Sequence, residues 1–271
     1  MLSKISRITT QKKHKDRYNI FLDDGQGEKY GFSVDEAVLV EYRLRKNMEL
    51  DDATITALIQ KDTLHKSYTL AINFLSYRMR TKKEIHGYLL KKEVDEEHIA
   101  KIMDKLSEEG LVNDNEFAQA FVRTRIQTAE KGPMLVKQEL MQKGVDNAIA
   151  SEAVDMYTFD VQFDKAMKLA AKKLRTDNNK SFQKQIQQLQ GTLMQKGFSG
   201  EVVQAVTAEF RNEKDDDAEW AALVKQGEKL LRKHQPKYSG FELEQKIKEA
   251  LYRKGFTIEL ITIFLDEKRE E

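Results

Sequence analysis

The sequence predicts an all-α chain, an elongated and curved solenoid of tandem three-helix repeats behind a small N-terminal β-hairpin and helical segment. Three observations carry this prediction. A six-residue helix stop occurs four times, as Leu89–Val94 (LLKKEV), Leu140–Val145 (LMQKGV), Leu193–Phe198 (LMQKGF) and Leu251–Phe256 (LYRKGF). Apolar residues between the stops recur at helical spacing. The 271 residues contain only two prolines and thirteen glycines, which favours long uninterrupted elements.

Each stop carries the chemistry of a helix C-terminus. Lysine in the last turn suits the negative end of the helix dipole. The glycine can adopt the left-handed conformation that closes the last carbonyls, and the apolar residues on either side of the turn are the pair that meet in a Schellman ending. Leu140 is expected to pack on Val145, Leu193 on Phe198, Leu251 on Phe256 and Leu89 on Val94. The stops, taken at Glu93, Gly144, Gly197 and Gly255, are 51 to 58 residues apart, room for three helices and short loops. One such unit has a small core, and stacking supplies the burial it lacks.

The first 33 residues read differently. Ile5, Arg7 and Thr9 alternate with Ser6, Ile8 and Thr10; Tyr18–Leu22 and Lys29–Phe32 follow as strands around the turn Asp23–Gly27. A hairpin or three-strand ribbon is expected, with Lys12–Lys15 as a basic loop. Ser33 and Glu36 suggest a capping box for a helix from Val34 to about 46, followed by a helix over 51–61.

The first repeat has helix A over 67–78, helix B opened by the capping box Thr81–Glu84, and helix C with the stripe Ile99, Ile102, Met103 and Leu106. In the second, Asn113–Asn115 caps helix A, on which Phe117, Ala120 and Phe121 face inward. Pro133 begins helix B, and helix C runs from Asp146 to about Tyr157. The third has helices over 161–175, 181–196 and 199–211. The fourth has helix A over 218–234 with Trp220 on its apolar face, helix B from a second capping box at Ser239 and Glu242, and helix C over 257–268. The expected domains are 1–66, 67–112, 113–159, 160–214 and 215–271.

Charge is sorted by helix, although the net charge is only +1. Six cations between Arg78 and Lys92 face one acid, and eight between Phe163 and Phe198 face two. In residues 93–109, the first C helix with its flanks, seven acids oppose two lysines, and residues 146–160 carry four acids and no cation. Solvated faces of amphipathic helices explain any one unit. Repetition of the pattern suggests a basic strip able to meet phosphates or an acidic protein groove. The candidate contacts are Arg78, Arg80, Lys82 and Lys83, then Arg123, Arg125, Lys131 and Lys137, then Lys172, Lys173 and Arg175.

Motifs for catalysis are absent. The five histidines are scattered without metal-ligand spacing, there is no cysteine, and no phosphate-binding glycine loop or nucleophile elbow occurs. No cofactor or metal is expected, and the chain reads as non-enzymatic. No run of about 18 apolar residues offers a membrane span, and the N-terminus lacks a signal-peptide core. A cytoplasmic monomer is the expectation.

Tyr77–Ile85 (YRMRTKKEI) resembles a signature of RecX regulatory proteins, and Glu109–Ala118 (EGLVNDNEFA) resembles a second one at the family's spacing. Arg123, Gly132 and the Leu140–Val145 stop complete the order. Two departures are Glu93, where a repeat glycine is usual, and Met79, where arginine or proline is often found. The resemblance implies a long family member that binds the RecA recombinase filament and restrains strand exchange, ATP hydrolysis and filament growth in homologous recombination and DNA repair. The alternative is a helical-repeat protein that binds single- or double-stranded DNA directly through its basic A and B helices.

Overall fold

The computed structural model describes residues 2–174, 180–212 and 216–270. These form two compact units, Met1–Phe117 with Lys143–Val145, and Ala118–Gln142 with Asp146–Glu271.

The first unit opens with a four-stranded antiparallel sheet of order β3-β2-β1-β4, built from β1 (Leu2–Thr10), β2 (Arg17–Asp23), β3 (Glu28–Asp35) and β4 (Glu49–Asp51). The sheet exceeds the expected hairpin or three-strand ribbon, because β4, three residues long, carries too little pattern to be read. A bulge between Ile5 and Arg7 shifts the alternation by one residue. It lets both Ile5 and Ile8 join the core with Ile20, Phe32, Val34 and Leu50.

The expected helix from Val34 begins later. Val34 is buried in β3, the Ser33 hydroxyl accepts from Arg17 instead of capping, and Asp35 caps the short α1 (Glu36–Glu41). The helices expected over 51–61 and 67–78 are one element, α2 (Asp52–Leu75), capped by Asp51. No glycine or proline interrupts it. Asp62, at its centre, reaches back to the sheet, where it accepts from Arg17 and from the Asp35 N–H.

The C-terminal half of α2 packs with α3 (Lys82–Lys91) and α4 (Glu96–Glu108) around Ala71, Ile85, Leu89, Ile99, Ile102 and Leu106. The Thr81–Glu84 capping box is formed. The α3 stop is a Schellman ending even without glycine: Val94 N–H donates to Leu89 O, Glu93 N–H to Leu90 O, and Glu93 takes a φ of 59°.

Described by itself, the second unit carries α6 (Pro133–Gln142), α7 (Asn147–Val154), α8 (Phe159–Leu174), α9 (Phe182–Gln195), α10 (Gly200–Asn212), α11 (Asp216–His234), α12 (Gly240–Arg253) and α13 (Ile258–Glu270). The helix α5 (Asp114–Thr128) contributes its residues from Ala118 onward. On α5 the fully buried positions are Ala118 and Val122, whereas Ala120 and Phe121 are only partly covered. Leu193 and Phe198 share one core cluster, and Leu251 and Phe256 share another, with Trp220 packed against the latter. The expected Ser239–Glu242 box does not form. Ser239 makes no side-chain cap bond, and Gly240 turns the chain with a φ of 54°.

The repeats interlock through their stops. In the first unit, Thr81 Oγ1, at the start of α3, donates to Lys143 O at 2.7 Å, and Asp114 accepts the Lys82 N–H. In the second unit, Gly132 N–H donates to Lys196 O at 2.7 Å and Met134 N–H to Gly197 O at 3.1 Å. One repeat later, Ser181 N–H donates to Lys254 O, and Glu219 accepts the Phe182 N–H. In these three joints the carbonyls of a stop thus meet the start of the preceding B helix. Where the first helical residue is Pro133 there is no N–H to satisfy, and no acid is used.

This explains which stops need glycine. A Cβ on Gly197 would lie 2.7 Å from the Leu135 nitrogen, and one on Gly255 2.5 Å from Ser181 Oγ. Among the described residues, no helix start docks on the Glu93 stop, so a side chain is tolerated there at the cost of the left-handed backbone alone.

Candidate partner-binding surface

The cations singled out by the sequence fall into distinct environments. Arg78 bonds Glu84 at 3.2 Å, and Lys143 bonds the same carboxylate at 3.0 Å. Burial pushes the Glu84 carboxyl up, but hydrogen bonds from Arg78, Lys143 and the Thr81 N–H outweigh it and hold the group below the usual range. Arg80 is half-buried, its guanidinium 3.9 Å from the Phe74 ring centre, and Phe74 stacks on Tyr88 at 4.1 Å. Lys82 and Lys83 are exposed, the stem of Lys83 lying along Gly144.

In the second unit Arg125 bonds Glu139 at 2.7 Å, and Lys131 pairs with the same carboxylate. Burial again raises and the two cations lower the Glu139 carboxyl, with the lowering dominant. Arg123 is exposed and reaches Gln119, and Lys137 is half-buried. Lys172 is exposed 3.5 Å from Glu130, and Lys173 is exposed. Arg175 lies outside the described residues. Lys165, counted among the basic residues of its repeat, turns inward and donates to Ile126 O at the end of α5. Lys82, Lys83, Arg123, Lys172 and Lys173 therefore stand out on the surface, while Arg78, Arg125 and Lys131 are held by internal carboxylates.

Sequence reasoning missed the exposed apolar side chains. Tyr77 is 85% exposed in the loop before α3, beside exposed Met79. The second residue of every stop is also open: Leu90 43%, Met141 46%, Met194 61% and Tyr252 60%. Helical phase is the signal that could have found them, since each follows a fully buried leucine by about 100° around the helix.

A cleft of about 1060 Å³ runs between α9 and the α12–α13 stop, lined by Phe182, Ile186, Gln190, Tyr252 and Ile258. Of its two lining carboxylates, Glu219 and Glu259, the first is already committed to the Phe182 N–H. Among the described residues no cluster of three His, Asp or Glu side chains is arranged to hold a metal, and no helix is long and apolar enough to cross a membrane.

Five family-model matches cover most of the chain. The regulatory protein RecX N-terminal domain matches residues 3–51, the first RecX three-helix domain 68–106, and the second 113–154. The third three-helix domain matches twice, at 160–207 and 217–265. The chain belongs to the RecX family. It is 54% identical to the regulatory protein RecX of Oceanobacillus iheyensis over the full length of both, and 42% identical to that of Bacillus cytotoxicus over 98% of each. A crystal structure of regulatory protein RecX aligns with a TM-score of 0.68 at 38% identity, covering 76% of this chain and 99% of that one. RecX from Lactobacillus salivarius aligns at 0.54 and 34% identity, covering 55% and 97%. The repeated RecX third-domain match pairs the last two repeats, whose B helices both begin after a serine, Ser181 and Ser239.

Proposed function

We propose that this RecX chain is a non-enzymatic regulator that binds a RecA recombinase filament and inhibits its growth, ATP hydrolysis and strand exchange. The observation that carries the reading is the family match along nearly the whole chain, to proteins named as regulatory. The geometry is consistent with it. Three-helix repeats joined stop to start offer the same chemistry again and again, which suits a partner made of repeated subunits. The proposal includes the five domains expected from the sequence, their arrangement as a solenoid, a monomeric chain in the cytoplasm, and contacts through Lys82, Lys83, Arg123, Lys172 and Lys173.

The test is RecA-dependent strand exchange and ATPase with purified protein. Inhibition at substoichiometric to equimolar protein is expected, and no effect at excess would sink the reading. Reversing Lys82 and Lys83 to glutamate should weaken filament binding while helicity stays unchanged. The exposed cations also favour a direct DNA-binding reading. That alternative predicts affinity for bare DNA that falls steeply with salt and does not require RecA.

A further inference from the structure

The three joints inside the chain follow one pattern. The carbonyl just before the left-handed residue of a stop takes a hydrogen bond from the start of a B helix: Lys143 O from Thr81 Oγ1, Lys196 O from Gly132 N–H, and Lys254 O from Ser181 N–H. The left-handed residue is glycine each time, and it lies against that start. A Cβ on Gly144 would strike the Lys83 stem, and one on Gly255 would come within 2.9 Å of the Lys184 Cβ as well as meeting Ser181. Such approaches are well inside van der Waals contact, so the joint requires glycine.

Two half-joints are left over. Among the described residues, the stop at Glu93 and the start of α12 at Ser239 meet no partner: Lys92 O receives no hydrogen bond there, and Ser239 N–H finds no acceptor. They are the acceptor and donor halves of one more joint, and a second copy of the chain would supply the missing half to each. Both halves carry an exposed acid where the joints do not. Glu93 stands in the place of the stop glycines with a φ of 59°, so the backbone is already right and only the side chain is in the way. Ser181 and Ser239 stand equally far ahead of their stop leucines, which places Glu242 where Lys184 covers Gly255. Local chemistry does not call for Glu93. A left-handed residue favours glycine, and the end of a helix disfavours negative charge.

We propose that Glu93, backed by Glu242, keeps copies of this chain from joining end to end. Docking would press the Glu93 Cβ into the α12 start and bring two carboxylates together away from water. Without the block, a head-to-tail contact leaves a free half at each end and adds copy to copy. The block holds the array at the length its sequence encodes, as terminal repeats do in other repeat proteins. The inference goes beyond the filament reading and needs no RecA.

The experiment measures the mass of the full-length chain by analytical ultracentrifugation over a range of concentrations, without RecA or DNA. The wild-type chain is expected to stay monomeric. Glu93→Gly with Glu242→Lys is expected to associate, its weight-average mass rising at least about twofold over wild type at the highest concentration. Glu93→Gly alone should associate more weakly. Glu93→Ala with Glu242→Lys makes the same change of charge but keeps a Cβ, and it is expected to remain monomeric. Circular dichroism of all the variants should match wild type. Self-association of the wild-type chain, glycine variants that stay monomeric, or equal association of the alanine variant each overturns the inference and leaves the filament reading standing.

Discussion

Thr81 Oγ1 donates to the Lys143 carbonyl at 2.7 Å, across 62 residues of sequence, while accepting the Glu84 N–H at 3.1 Å. One hydroxyl both starts α3 and fastens the stop of the next repeat to it. Thr81 is fully buried, so losing the hydroxyl leaves a cap and a carbonyl unsatisfied together. Thr81→Val should destabilise by about 2–3 kcal/mol, and Thr81→Ser by much less. Urea midpoints of the two variants check this.

The left-handed glycines that follow helices, Gly110 after α4 and Gly255 after α12, should separate into two classes. Gly110 has a φ of 69° with open space around its Cβ direction, so Gly110→Ala should cost only about 1 kcal/mol of backbone strain. Gly255 has a φ of 90° and also faces Ser181 and Lys184 at contact distance. Gly255→Ala adds a steric clash and should cost about 2–4 kcal/mol. Glu93→Gly should stabilise by up to about 1 kcal/mol, because that ending is left-handed and undocked. Calorimetric melting of the three variants decides the order.

Asp62 gives the N-terminal unit a pH dependence. Its burial favours the neutral acid, but hydrogen bonds from Arg17, Lys66 and the Asp35 N–H prevail and hold its pKa below 3.8. The folded value lies below the unfolded one. The stabilisation is therefore complete above about pH 4 and is lost as pH falls through the folded value. Asp62→Asn should cost about 3 kcal/mol at pH 7 by stranding Arg17, which is itself mostly buried. The deficit should shrink below pH 4, a trend that denaturation at pH 7, 4 and 3 would reveal. A constant deficit would remove the carboxylate from the argument.

Arg80 should behave as a packing residue. It covers Phe74, which in turn stacks on Tyr88. Arg80→Ala is expected to destabilise by about 1 kcal/mol, whereas Lys82→Ala and Lys83→Ala should leave the urea midpoint nearly unchanged. A contact role for Arg80 is then separable from its structural one by comparing binding after correcting for the unfolded fraction.

The sequence by itself determined the repeat. The Leu–x–x–Lys–Gly–apolar stop, the Thr81–Glu84 box and the Pro133 start are local chemistry, legible because a helix ends by rules acting over six residues. The apolar stripe of α4 was legible for the same reason, as was the likeness to RecX proteins. Tertiary structure decided what local rules do not encode. Ser33 lost its cap role because Val34 was needed in the sheet core, and α2 ran on through residues 62–66 because nothing breaks a helix there. Glycine proved necessary at positions 197 and 255 because another helix starts against them, and dispensable at 93 because none does. Tertiary structure also separated the cations. Glu84 and Glu139 neutralise several that the sequence could only count, since pairing depends on which helices are brought side by side.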